Sequence, residues 1–117
     1  MTKLVSFILC LLFISFKEAS AQSVFIKGHD LYTWCNSSSE LLLTTCWGYI
    51  IGAIDTNGAY NFVTKTCILF DIGSKVTIPQ LKDIIVKGLH DNPKERDLAA
   101  ALLIQDYLSD VFPCPKK

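Results

Sequence analysis

Apolar residues recur at helical spacing in four segments of the chain. Leu31, Trp34 and Cys35 stand at i, i+3 and i+4, which predicts a short opening helix from His29 to Cys35 that ends at Asn36. In the next segment Leu43, Cys46, Trp47, Ile50, Ala53 and Ile54 form one stripe, while Leu42, Tyr49 and Ile51 fill much of the remaining surface. A helix apolar nearly all round is predicted to be buried. The third segment, Ile78 to about His90, carries Leu81, Ile84, Ile85 and Leu89 on one face and Lys82, Asp83 and Lys87 off it, the pattern of a half-buried helix. The fourth, Pro93 to Phe112, has Leu98, Ala101, Leu102, Gln105, Leu108 and Phe112 on one face, with Ala100, Leu103, Ile104, Tyr107 and Val111 beside it. That arc is wide enough to touch two neighbours.

Capping signals mark where these helices start. Ser37 with Glu40 and Thr77 with Gln80 match the capping box, and Asn92 with Glu95 is a looser version of it. Pro79 and Pro93 fall in first turns, where a missing N–H costs nothing. Between Gly58 and Thr77 the helical period fails: AYNFVTKTCILFDIGSKV is rich in β-branched and aromatic residues and has a turn signal at Asp71-Ile72-Gly73-Ser74. This stretch is expected to be a long ordered loop, with room for a small hairpin. Loops of that length in a compact domain are more often functional than idle.

Ahead of the helices, Lys3 precedes an apolar run from Leu4 to Phe16 and a polar stretch ending in Ala19-Ser20-Ala21. This is the layout of a cleaved secretory signal peptide, and the run is shorter than the roughly 20 residues that span a bilayer. The expected organisation is therefore a signal peptide at 1–21 and one helical domain at 22–117. After cleavage no membrane segment is left. Once Lys3, Lys17 and Glu18 are removed, nine basic and ten acidic residues remain, so nothing favours nucleic acid or an anionic membrane.

Cys35, Cys46, Cys67 and Cys114 remain, an even number in an exported chain, which reads as two disulfides. Intervening stretches of ten, twenty and forty-six residues offer no CxxC knuckle for zinc. The short His90-Asp91-Asn92 connection makes the last two helices antiparallel and returns Cys114 towards the start of the third helix, ten residues beyond Cys67. Of three possible connectivities this selects Cys67 with Cys114 and leaves Cys35 with Cys46. In chain-entropy terms the two closures are worth on the order of 3 and 4 kcal/mol. The predicted fold class is thus mainly α: a small domain of four to five helices, stapled by two disulfides, with one long loop between the second and third main helices.

Catalytic signals are missing from the sequence. His29 and His90 lie at opposite ends of different helices, the mature cysteines are expected to be oxidised, and GxSxG, HExxH, a phosphate loop and a metal-ligand cluster are all absent. No cofactor, no metal and no enzymatic activity are expected.

An ordered set of short motifs does point somewhere. Gly28 before a short helix with Cys35, the run CWGYIIGAID from Cys46 to Asp55, the lone Cys67, VTIPQL from Val76 to Leu81, HDNP from His90 to Pro93 and the terminal Phe112-Pro113-Cys114 resemble the Rap/Tai family of immunity proteins. The family often has proline after the third cysteine, where this chain has Ile68. The resemblance implies a small helical periplasmic homodimer that binds a type VI secretion amidase, a cysteine hydrolase of peptidoglycan stem peptides, and blocks its active-site groove, partly with a loop.

On that reading the long loop supplies the contacts: Tyr60, Phe62, Lys65, Phe70, Asp71 and Lys75 are the candidate partner-binding residues, since interfaces are anchored on aromatic and charged side chains. Gly48 and Gly52 lie four apart on one helix face. Each costs about 1 kcal/mol against alanine, which close approach of another backbone, in the same chain or in a second copy, would offset. The alternative from a different class is a secreted helical carrier whose pocket is lined by Trp47, Tyr49 and the leucines of the second helix.

Overall fold

The computed structural model describes residues 24–117; the expected signal peptide lies outside the described residues. Four α-helices follow one another: α1 Gly28–Cys35, α2 Glu40–Thr64, α3 Ile78–Asp91 and α4 Ala100–Val111, with a 3-10 turn at Pro93–Glu95. No strand is formed among the described residues, so the segment with room for a hairpin holds only isolated antiparallel bridges, Lys27 with Ala99 and Phe70 with Pro113. The chain is mainly helical, as its periodicity predicts. No helix of the described residues is long and apolar enough to cross a membrane.

Both disulfides form with the predicted pairing. Cys35 and Cys46 join α1 to α2 with Cα atoms 5.1 Å apart, and Cys67 and Cys114 join the segment after α2 to the C-terminus at 5.6 Å. Around them sits one core, in which Leu31, Ile50, Phe70, Ile85, Leu89, Leu103, Ile104 and Leu108 are the large side chains withdrawn from water. Burying each such side chain contributes about 1.5–3 kcal/mol.

Helix starts follow the caps only in part. At α3 the Thr77 amide donates to Gln80 Oε1 at 2.8 Å, as the capping box requires. At α2 the cap moves to Ser39, whose amide donates to Ser37 Oγ at 3.0 Å, so Ser37 shapes the turn ahead of the helix and does not cap it. The fourth helix starts seven residues later than its pattern suggests. The stretch from Arg96 to Ala100 bonds instead with the residues around the start of α1: Gly28 N donates to Leu98 O, His29 N to Arg96 O and Ala100 N to Ile26 O. The Asn92 side chain closes α3 instead, donating to Gly88 O at 2.9 Å.

Two glycines are required by this packing. A Cβ on Gly28 would lie 2.6 Å from a Leu103 methyl and 2.9 Å from the Arg96 Cα, and one on Gly88 would lie 2.5 Å from the Tyr107 ring. Neither contact leaves space for a methyl group.

Candidate functional site

The element that departs most from expectation is α2. It runs for 25 residues, to Thr64, and takes up the first part of what the sequence assigned to a loop. Its inward stripe continues past Ile54 with Asn57 and Asn61, which are i+4 and i+8 from Ala53 and keep the same face turned to the domain. Both asparagines donate to the carbonyl of Phe70, Asn57 at 3.0 Å and Asn61 at 3.2 Å, and Asn61 accepts from the Ile68 amide at 2.9 Å. Polar groups at apolar spacing therefore hold the chain that follows the helix. The periodic Asn57 and Asn61 were the available signal for the longer helix, and their polarity concealed it.

Beyond Thr64 the backbone reverses at Lys65, whose φ of 53° is left-handed. The segment up to Thr77 is tied at three points: the asparagine clamp, the Cys67–Cys114 disulfide, and the hydrogen bond from Asp71 N to Phe112 O at 3.0 Å. Asp71 also closes a turn by accepting from Gly73 N at 3.2 Å, with Gly73 at φ 68°.

The six candidate partner residues now separate. Tyr60 and Phe62 stand on the last turns of α2, outside any loop, and Phe62 keeps 84% of its surface exposed. Lys65, Asp71 and Lys75 are exposed on the tied segment. Phe70 is a correction: it is 1% exposed and belongs to the core, because the clamp on its carbonyl and the bridge to Pro113 turn its side chain inward. It has no surface to offer a partner. Val63, Ile68 and Leu69 are exposed apolar residues that the sequence reading passed over. Tyr60, Phe62, Val63, Ile68 and Leu69 thus place exposed apolar side chains on the end of α2 and the tied segment after it.

Beside this end lies an open cleft of about 290 Å³ between α2 and the 70–74 turn, lined by Ile54, Asn57, Gly58, Phe70, Ile72 and Ser74 among others. Asn57 is part of that lining. With its Nδ2 on Phe70, its Oδ1 is buried and has no hydrogen-bond partner among the described residues.

The predicted burial of α2 on all sides is also corrected. Only Cys46, Ile50 and Asn57 of this helix are buried, and a Cβ added at Gly48 or Gly52 would meet nothing within 4 Å. No backbone of the described residues approaches the two glycines. Apolar patterning all round the helix did not imply a neighbour on every side.

Trp47 and Tyr49, which the carrier alternative assigned to an interior pocket, are half-buried at the surface of the domain. Trp47 lines a shallow groove with Glu40, Leu43 and Thr44, and Tyr49 meets the edge of Trp34 with ring centroids 6.3 Å apart. Burial raises the Tyr49 hydroxyl above its ordinary pKa, partly offset by its hydrogen bond to the Ala101 backbone.

The turn from His90 to Lys94 is built as a joint. Arg96 donates from Nε to Leu89 O at 2.7 Å and from Nη2 to His90 O at 3.3 Å, while its guanidinium lies 3.8 Å over the Tyr32 ring. The Tyr32 hydroxyl and His90 Nδ1 are 3.0 Å apart. One cation thus satisfies the last carbonyls of α3 and stacks on α1. All four cysteines of the described residues are in disulfides, and those residues contain no cluster of His, Cys, Asp and Glu able to hold a metal ion.

Comparison with known proteins agrees with the motifs. A family model described as Rap1a immunity proteins matches residues 27–114, which takes in every helix and both disulfides. No curated protein matches the chain.

Proposed function

We propose, from the premise that the chain belongs to the Rap1a immunity proteins, that it acts in the periplasm by binding a type VI secretion peptidoglycan amidase and covering its active-site groove. The observation that carries this reading is the exposed apolar end of α2, where Tyr60, Phe62 and Val63 stand on a helix whose following segment is pinned by a disulfide and two asparagines. Rigid presentation of aromatic anchors keeps the ordering cost of binding low. Lys65, Asp71 and Lys75 form the polar surroundings expected of such an interface. Residues 1–21 act as the export signal and residues 22–117 as the inhibitor. The protein does no chemistry of its own.

The glycine face of α2 gives the homodimer. Leu41, Thr45, Gly48, Gly52, Asp55 and Ala59 follow one another at alternating steps of four and three, and all are exposed. That is the spacing of a helix-pairing seam. An antiparallel pair centred between the glycines would set Gly48 of one protomer over Gly52 of its partner, Thr45 beside Asp55, and Leu41 over Ala59. The glycines then face each other, Ala59 faces Leu41, and the carboxylate meets a hydroxyl.

Periplasmic co-expression with a candidate amidase tests the function. The chain should prevent lysis, and Phe62→Glu should abolish protection while the purified variant melts as the parent does. Full protection by Phe62→Glu removes the α2 end from the interface. Gly52→Leu should shift the mass in solution from dimer to monomer, and an unchanged mass refutes the seam.

A further inference from the structure

We infer that the cleft between α2 and the 70–74 turn receives the side chain of an arginine or lysine carried by the effector, an assignment that rests on the effector-binding reading above. An unused acceptor lies just behind the cleft's lining. Asn57 is only 6% exposed, its amide nitrogen is committed to Phe70 O, and its Oδ1 is left without a partner. Buried acceptors are nearly always satisfied, so an orphan one calls for a donor. Asn61 does not supply it: its Nδ2 donates to Phe70 O, its Oδ1 accepts from Ile68 N, and no donor among the described residues bonds to Asn57 Oδ1.

A second, independent observation is Gly58. It sits inside α2, where glycine is disfavoured relative to alanine, yet a Cβ there would meet nothing within 4 Å. Nothing in the packing of the described residues explains it. It does border the cleft, where a missing side chain leaves entry beside Asn57.

The remaining lining selects the chemistry. Asp71 is exposed, gives one carboxylate oxygen to Gly73 N, and makes no salt bridge among the described residues. Ile54 and Ile72 supply apolar walls. An orphan acceptor inside, a carboxylate at the rim and apolar walls between them match a methylene stem with a cationic, multiply donating head. A carboxylate or phosphate ligand would face acceptors at both ends. The Asn57 oxygen is shut off from solvent in the free chain, so the incoming donor must move the part of the cleft wall that covers it.

Amide NMR titration of the isotope-labelled chain with ethylguanidinium and n-butylammonium, each against sodium chloride at equal concentration, tests the cleft without any effector. The backbone amides of Gly58 and Gly73 and the Asn57 side-chain amide should shift saturably. Asp71→Asn, which keeps the acceptor for Gly73 N, should weaken binding at least fivefold. Gly58→Ala should weaken it too while the melting temperature holds or rises, because its methyl group meets open space. Shifts that grow linearly with salt, or that saturate identically in both variants, overturn the assignment. Protection of cells without saturable shifts overturns the cleft and leaves the effector reading intact, whereas saturable shifts in a chain that protects against no amidase overturn the effector as its source.

Discussion

The α3–α4 pair and α2 have similar shares of apolar residues and bury them to different extents. In the pair, Leu81, Ile85, Leu89, Leu103, Ile104 and Leu108 all point inward, and the one glycine, Gly88, is pressed against the Tyr107 ring. The domain accounts for every one of those choices. In α2 only Cys46, Ile50 and Asn57 are buried, Leu41, Tyr60, Phe62 and Val63 are exposed, and Gly48, Gly52 and Gly58 have no neighbour where a Cβ would stand. Folding accounts for little of that surface. When apolar and helix-disfavouring residues persist on a face the fold leaves open, binding is the cause to test first.

The largest effect should come from two phenylalanines eight residues apart. Phe70→Ala empties a core position and should destabilise the domain by about 3–5 kcal/mol, whereas Phe62→Ala, on an exposed helix turn, should change stability by no more than about 0.5 kcal/mol. Chemical denaturation of the two variants measures both. In a protection assay the order should reverse in meaning: Phe62→Ala weakens inhibition in a folded protein, and Phe70→Ala weakens it only by lowering the folded fraction. Equal destabilisation by both substitutions would erase the contrast between the closed and open faces.

Glycines sharpen the comparison through a change of sign. Gly88→Ala drives a methyl group into the Tyr107 ring and should cost about 1–3 kcal/mol, as overpacked sites do. Gly52→Ala adds its methyl group in open space and should stabilise the isolated protomer by up to about 1 kcal/mol. Unfolding at low protein concentration reads the protomer, and sedimentation at high concentration reads the pairing, which Gly52→Ala should loosen. If alanine destabilises both sites, α2 is held by a neighbour within the chain and the seam is wrong.

The same division explains what could be read without coordinates. Periodicity located the core faces of α1 and α3, each with one apolar side, and the disulfide pairing followed from a short connection that brings Cys114 back to Cys67. In α4, whose apolar arc is wide, the core face is Ala100, Leu103, Ile104 and Leu108, and Leu98 and Leu102, which lead the predicted face, are exposed. Two things were not legible. The extension of α2 was concealed because Asn57 and Asn61, turn-favouring residues in isolation, are recruited by the Phe70 carbonyl, a partner distant in sequence. The later start of α4 was concealed because residues 96–99 satisfy their carbonyls with the amides of Gly28 and His29, a pairing that helix propensity cannot register. Of the candidate site, exposure was the missing quantity: the pattern Tyr60, Phe62, Phe70 shows three aromatics, and only the clamp on Phe70 decides which of them face the solvent.

The smallest effect tests whether the junction between α2 and its tied segment serves the fold or the site. Lys65 holds a φ of 53°, a conformation that a lysine adopts at a cost and a glycine adopts freely. For stability alone glycine is the better residue, and Lys65→Gly should raise it by about 0.5 kcal/mol, partly offset by the greater freedom of the unfolded chain. Lysine there strains the backbone slightly and places an exposed cation directly after the helix end that carries Tyr60 and Phe62. If that charge belongs to the interface, Lys65→Gly should melt at or above the parent temperature and yet protect cells less well, with a salt dependence of effector binding weaker than the parent's. A variant that is both more stable and fully protective would show the left-handed lysine to be incidental, and would leave the apolar end of α2 to carry the open face alone.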